Sequence, residues 1–280
     1  MNIQGLKKIL QDIKAAPLKD LSQNFLIDDQ ILETIIKKAD LKANDQVLEI
    51  GPGLGFLTKR LLQQQAKVLA VEKDLKFYQY LKKNRQNQNK LVLINQDILK
   101  LDLNILIQRH FRPEIGYKIV ANVPYHITSR LLYLFFQIKP LPQTMTLLLQ
   151  KEVGLRICAK QPRNNPLALF VKLFTQPVIA EIVKKTSFYP EPKVDSAIVV
   201  LPKIQAQVDP QSQKFKDLHG LIKISFASPR KTLLNNLKNS QRFSGAQIRQ
   251  ALAKLRLGPK VRAQELNIEQ YRYLNSLLNK

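Results

Sequence analysis

The sequence predicts an α/β protein: a doubly wound, mostly parallel sheet over residues 1–205, followed by a small all-helical domain over residues 206–280. Three observations carry this. Short buried-strand patterns alternate with helical patterns between residues 29 and 149, and strands separated by helices pair in parallel through right-handed crossovers. Strand patterns stop after Pro202, and only helical periodicity runs from Phe215 to the end. A chain of 280 residues that is 45% hydrophobic also has the material for a sizeable core.

The elements follow in order. Met1 to Lys14 reads as a short amphipathic segment carrying Lys7, Lys8 and Lys14. Residues 29–39 (DQILETIIKKA) have apolar positions at helical spacing, with Asp28 as N-cap. A buried strand over 45–50 ends in a loop beginning at Gly51, and a helix occupies 56–65. Strand 67–71, helix 74–85 and strand 91–94 come next. Strand 119–123, helix 128–137 and strand 144–149 complete the alternation. Residues 178–184 and 197–201 form two strands joined by the proline-rich turn at Phe188-Tyr189-Pro190-Glu191-Pro192, expected as an antiparallel edge of the same sheet. A polar linker spans 203–213, and the helical tail breaks near Ser228-Pro229, Ser244-Gly245 and Gly258-Pro259.

Composition narrows the partners. Lys and Arg number 45 against 21 Asp and Glu, a formal charge of +24. So basic a chain favours a polyanion, with nucleic acid ahead of an anionic membrane surface. The single cysteine, Cys158, allows no intramolecular disulfide and no cysteine metal cluster, which fits a reducing cytoplasm. His110, His126 and His219 lack metal-ligand spacing, so no metal is expected. No apolar run approaches the roughly 18 residues of a membrane span.

Residues 49–57 read EIGPGLGFL, placing Gly51, Gly53 and Gly55 between a strand and a helix. Such a turn lets the backbone pass close to a ligand. The GxGxG form departs from the dinucleotide fingerprint, and no Gly-Lys-Ser/Thr ending marks a phosphate-gripping loop. Glu72 ends the next strand, 21 positions after Gly51, where a carboxylate can accept both ribose hydroxyls of an adenosine-containing cofactor. Asp97 follows the third strand, beside the place such a fold gives the adenine ring.

Asn122-Val123-Pro124-Tyr125 follows the fourth strand. Pro124 keeps Val123 extended and stops further pairing, which leaves Asn122 at the strand's carboxyl end, where open α/β sheets bind ligands. An aromatic amine is a poor nucleophile because its lone pair is delocalised. Two acceptors, the Asn122 amide oxygen and the carbonyl of Val123 or Pro124, localise that lone pair. They also stabilise the positive charge that develops as a methyl group leaves a sulfonium. Tyr125 can stack on the base and hold it in line. No general base is required, and His126 is read as flanking structure. The base must leave its stack to reach this pocket, and Phe188 is the candidate for an opposing aromatic face. The prediction is a Rossmann-like, S-adenosylmethionine-dependent methyltransferase acting on an adenine amine.

These residues, with further blocks, are similar to the ribosomal RNA small-subunit adenine dimethyltransferases. The blocks are SQNFLID (22–28), LEIGPGLGFLT (48–58), VEKD (71–74), QDIL (96–99), ANVPYHIT (121–128), FYPEPKVDSAIVVL (188–201) and FASPRKTLLNNL (226–237). The resemblance implies dimethylation of two adjacent adenosines near the 3′ end of small-subunit rRNA during maturation of the small subunit. It also implies that Asn24, Leu26, Gly51, Glu72, Asp97 and Asn122 bind the cofactor. Three positions depart from the pattern. Val123 stands where Leu is commonest, Ser22 replaces a frequent glycine, and Ser228-Pro229-Arg230-Lys231 has one arginine fewer than usual. The expected partner is small-subunit rRNA or the immature small subunit, met by a monomer in the cytoplasm, with no membrane and no metal. Phosphate contacts are expected from Arg230, Lys231, Arg242, Arg249, Lys254, Arg256, Lys260 and Arg262 of the tail.

Three other functions compete. A large-subunit rRNA adenine methyltransferase of the antibiotic-resistance type shares fold and tetrad, but VDSA at 194–197 and the FASPRKTLLNNL helix favour the small-subunit enzyme. The intact set of Gly51, Glu72, Asp97 and Asn122 argues against a non-catalytic RNA-binding assembly or transcription factor. A DNA adenine methyltransferase would normally carry a larger target-recognition region than this tail.

Overall fold

The computed structural model of the chain describes residues 3–15, 24–84, 89–124 and 127–279. Helix α1 (Ile3–Asp12) precedes strand β1 (Phe25–Leu26) and helix α2 (Asp29–Ala39). Then β2 (Gln46–Ile50), α3 (Phe56–Gln63), β3 (Lys67–Glu72), α4 (Leu75–Asn84) and β4 (Leu91–Asn95) alternate. They are followed by α5 (Leu103–His110), β5 (Lys118–Asn122), α6 (Thr128–Phe135), β6 (Thr144–Gln150), α7 (Lys151–Ile157) and α8 (Pro166–Lys172). Strands β7 (Val178–Val183), β8 (Phe188–Tyr189) and β9 (Ser196–Leu201) come before helices α9 (Gln213–Ser225), α10 (Leu233–Asn239), α11 (Gly245–Lys254) and α12 (Ile268–Leu278).

Seven strands form one sheet in the order β4-β3-β2-β5-β6-β9-β7. The pairs β2–β3, β3–β4, β2–β5 and β5–β6 are parallel. Strand β9 is antiparallel to β6 and to β7, which gives the antiparallel edge expected from the sequence. Chain order reverses between β2 and β5, and that switch point sets where a ligand can enter. Every residue of β2 is buried, as a central parallel strand requires. Gln46 tolerates this because its amide donates to the carbonyls of Arg112 (3.0 Å) and Gly116 (2.6 Å) and accepts from the Arg112 N–H (2.7 Å).

Two features escape the sequence patterns. Helices α5, α7 and α8 have no counterpart among the expected elements. Strands β1 and β8 pair as a separate antiparallel ribbon, Phe25 opposite Tyr189 and Leu26 opposite Phe188. The ribbon is pinned by the Ile27 N–H donating to the Ser187 carbonyl (3.0 Å) and by the Ser187 hydroxyl donating to Asp28 (2.9 Å). Asp28 also caps α2 as expected, accepting from the N–H groups of Gln30 and Ile31. In the ribbon Phe188 is only 3% exposed and packs in the core with Ile35, Val120 and Leu148. The expectation that Phe188 presents a stacking face to a base is therefore corrected. Hydrophobic burial holds this ring in the core, although the surrounding turn reads as surface.

Helix α1 packs through Leu6 and Leu10, both buried, against Phe25, Leu54 and Phe77. Burying two leucines contributes about 1.5–3 kcal/mol each. The helix closes where the Lys14 N–H donates to the Gln11 carbonyl and the Ala15 N–H to the Leu10 carbonyl, both at 2.9 Å.

The chain divides into two compact units, Met1–Gly154 with Pro177–Ile204, and Leu155–Gln176 with Gln205–Lys280. The second unit thus takes in the excursion between 155 and 176 as well as the helical tail. Within the second unit the Asn164 amide donates to the Leu266 carbonyl (2.8 Å), and the Asn164 N–H donates to the Gln264 carbonyl (3.1 Å). Phe170 and Phe174 pack on Phe215, with ring centroids 6.3 and 5.8 Å away. Residues 205 and 207, read as linker, donate backbone bonds to the carbonyls of Phe174 and Leu173. Helices α9, α10, α11 and α12 begin at side-chain caps from Ser212, Thr232, Ser244 and Asn267, the third of which falls at the Ser244-Gly245 break.

Candidate active site

Strand β2 ends at Ile50, and the chain turns sharply through Gly51, Gly53 and Gly55 into α3. Gly53 has φ +56, and a Cβ there would lie 3.2 Å from the Phe25 ring. Glycine there avoids both the strain of a left-handed backbone and crowding against that ring. The Gly53 N–H donates to Glu72 Oε2 (2.9 Å), and the Asp74 N–H donates to Oε1 (2.7 Å). Both Glu72 oxygens are thus oriented by backbone, and burial raises the carboxyl pKa from its ordinary value.

Asp97 follows β4. Its Oδ1 accepts from the Leu99 N–H (3.0 Å), capping a short 3₁₀ turn, and its Oδ2 pairs with Lys73 (3.1 Å). Burial pushes its pKa up, but the Leu99 N–H and the Lys73 ammonium outweigh it, so the carboxyl sits below its ordinary value.

Asn122 closes β5, two strands from β3 across the switch point. Its amide nitrogen donates to the Asn24 carbonyl (3.3 Å), which fixes the way the amide group points. Val123 is buried, with its N–H donating to the Leu148 carbonyl (3.1 Å). The Pro124 carbonyl accepts from the Ile127 N–H (3.2 Å), turning the chain into α6. Tyr125 and His126 lie outside the described residues.

These residues surround one cavity of about 320 Å³. Asn24, Leu26, Gly51, Glu72, Asp97 and Asn122, expected from the sequence, all line it. So do Phe25, Phe77 and Arg130, which no pattern in the residues singles out. Glu49 was also missed. It sits in β2 with 1% exposure, lines the cavity, and its Oε2 has no hydrogen-bond partner among the described residues. Burial, with the Glu72 carboxylate adding to it, pushes its pKa up to about 8. A buried carboxylate with one open oxygen at a cavity wall can take a cationic group and would ionise on doing so.

The raised pKa carries a consequence for stability. Below about pH 4.5 Glu49 is protonated both folded and unfolded and contributes nothing. From there to about pH 8 the unfolded chain releases this proton while the folded chain keeps it, so the residue's contribution falls as pH rises. Glu49→Gln is expected to flatten this decline and raise the melting temperature of the ligand-free protein at pH 8 by a few degrees. Thermal unfolding across pH 5–8 checks it, and parallel curves for both proteins would refute it.

The switch-point cavity, the glycine turn, the strand-end carboxylate and the asparagine at the end of β5 together define a Rossmann-like methyltransferase that uses S-adenosylmethionine. Comparison with known proteins supplies the rest. Residues 17–280 match the model of the family described as ribosomal RNA adenine dimethylase. The chain belongs to the ribosomal RNA adenine dimethylase family. The ribosomal RNA small subunit methyltransferase A of Latilactobacillus sakei is 37% identical, over 99% of this chain and 95% of the relative. The protein of the same name from Lactobacillus acidophilus is 39% identical, over 90% and 88%. Among solved structures, a dimethyladenosine transferase from Plasmodium falciparum superposes with a TM-score of 0.72 at 28% identity, covering 89% of this chain and 95% of that one. The 23S rRNA methyltransferase ErmE also gives 0.72, at 24% identity, which establishes shared fold. Among the described residues no metal-binding cluster occurs, and no helix is long and apolar enough to cross a membrane.

Proposed function

We propose that this chain dimethylates the exocyclic amines of two adjacent adenosines near the 3′ end of small-subunit rRNA, during maturation of the small subunit. The observation that carries the chemistry is the Asn122 amide, which lines the cavity while its nitrogen is committed to the Asn24 carbonyl. That bond turns the amide oxygen, the atom the reaction needs, away from Asn24. The small-subunit target rests on near-full-length likeness to relatives that carry that name.

When bound, S-adenosylmethionine supplies an electrophilic methyl group on a sulfonium. The residues present fit such a molecule. Glu49 would take the ammonium of its amino-acid end, a pairing that draws the Glu49 pKa back down. The remaining lone pairs of Glu72 would accept the ribose hydroxyls, and Asp97 the adenine amine. Gly51, Asn24 and Leu26 complete the walls. The Asn122 oxygen and a carbonyl of residues 123–124 would accept the two N–H bonds of the target amine, keeping its lone pair localised. The same acceptors stabilise the charge that develops on the nitrogen. Tyr125 would stack on the base.

The second unit would supply phosphate contacts. Of the eight basic residues expected there, Arg242 is held by Asp217 (3.6 Å) and lies over the Phe243 ring. The loop bearing Arg230 and Lys231 is anchored by buried Asn236, whose amide donates to the Ser225 and Ser228 carbonyls and accepts from the Ser228 N–H. Affinity for an rRNA hairpin is expected to fall on the order of 10³-fold between about 50 and 200 mM salt, as for some six phosphate contacts. A filter-binding titration measures this, and a flat response would remove the electrostatic reading. Action as a cytoplasmic monomer completes the proposal.

The deciding experiment incubates the chain with labelled methyl donor and immature small subunits from cells lacking this modification. Dimethyladenosine near the 3′ end is the expected product. Label confined to large-subunit RNA would select the antibiotic-resistance type, and RNA binding without transfer a non-catalytic factor.

A further inference from the structure

The geometry points to helix α1 as a positioning element for the cofactor cavity, acting through the aromatic rings on which it is seated. Helix α1 lies on the far side of those rings, and none of its residues lines the cavity. Its buried Leu6 and Leu10 pack with Phe25 and Phe77, and Phe56 joins the same cluster. All three rings are also cavity wall. One side of this aromatic layer is therefore covered by the helix, and the other faces the ligand.

The layer connects to two of the polar groups that line the cavity, Glu72 and Asn122. Phe25 meets Phe77 edge to face, with centroids 5.4 Å apart and planes at 84°. The Phe25 ring lies against Gly53, whose N–H orients Glu72. Phe25 directly follows Asn24, whose carbonyl holds the Asn122 amide. A second contact seats the helix on the β1–β8 ribbon: Lys7 Nζ lies 5.5 Å from the centroid of Tyr189, the partner of Phe25 across that ribbon. A third is Lys76 of α4, which donates to the Lys14 carbonyl just past the helix end. Without α1, Phe25, Leu54 and Phe77 would face water, and the rings would be free to shift toward the cavity. Docking of the helix should therefore favour the binding-ready wall, and by thermodynamic reciprocity a bound cofactor should favour docking.

The inference rests on the cofactor reading of the cavity, which binding of S-adenosylhomocysteine to the unaltered protein tests separately. Two measurements address the helix itself. In the full chain, Leu6→Asp with Leu10→Asp is expected to raise the S-adenosylmethionine KM and the S-adenosylhomocysteine Kd about tenfold, with kcat at saturating cofactor within about twofold. Leu6→Met with Leu10→Met should restore both. A KM within about twofold of the unaltered enzyme, or a loss confined to kcat, would overturn the proposal. Should the aspartate variant fail to fold, hydrogen exchange of the unaltered protein decides. Saturating S-adenosylhomocysteine should slow exchange of the amides at residues 6–13 several-fold, and exchange identical with and without it would refute the coupling.

Discussion

Asn122→Ala is expected to lower methyl transfer by about 10²- to 10³-fold while leaving S-adenosylhomocysteine binding within a few-fold of normal. The side chain offers an acceptor at the carboxyl end of β5, beside the glycine turn of β2. Removing one preorganised group that stabilises developing charge typically costs two to three decades in rate. Its effect belongs to the chemical step, so RNA affinity should stay unchanged. Asn122→Asp is a sharper variant. It keeps an acceptor oxygen, but it loses the N–H that bonds the Asn24 carbonyl and so the restraint on where that oxygen points. Single-turnover transfer to rRNA with prebound cofactor separates the step from binding. An alanine variant with ordinary turnover would end the proposed role of Asn122.

Glu72→Ala should fail differently, in binding rather than in chemistry. The carboxylate accepts from the Gly53 and Asp74 N–H groups, so its loss leaves two backbone donors without their acceptor in a buried turn. Each such donor costs about 1–3 kcal/mol when unpaired, although solvent entering the new space recovers part of it. The ribose hydroxyls lose their acceptor as well. Cofactor Kd is expected to rise on the order of 100-fold, with a drop in stability of about 2 kcal/mol. Calorimetric titration with S-adenosylhomocysteine and urea unfolding measure the two effects. Glu72→Gln keeps one acceptor oxygen and should fall between. Unaltered affinity in the alanine variant, with only stability lost, would make Glu72 a scaffold residue and not a ligand.

Much of this was legible in the residues because the physics is local. Alternating buried strands and amphipathic helices fix a parallel sheet, and Asp28 before an apolar helix declares its own cap. The glycine turn, Glu72, Asp97 and Asn122 follow strand ends, so their convergence on one rim comes from topology alone. What escaped has identifiable reasons. Strands β1 and β8 have two residues each, too few for any period to show. Phe188 sits among prolines and polar residues that read as surface, while its burial is decided by a partner 162 positions away in sequence, Leu26. Glu49 lies inside an apolar run, where pattern reading registers strand and passes over the one carboxylate. The placement of 155–176 depends on which distant helices it meets, and composition does not change at its edges.

That placement bears on how such proteins can be recombined. The second unit is assembled from two separate stretches, with the polypeptide passing between units after residues 154, 176 and 204. A graft of residues 205–280 onto another methyltransferase would arrive without Asn164, Phe170 and Phe174, and so without bonds to Leu266 and Gln264 and without the rings that cover Phe215. The tail is therefore no detachable cassette. Exchange among relatives would have to carry both stretches together, which ties the history of the helical unit to that of the catalytic sheet it interrupts.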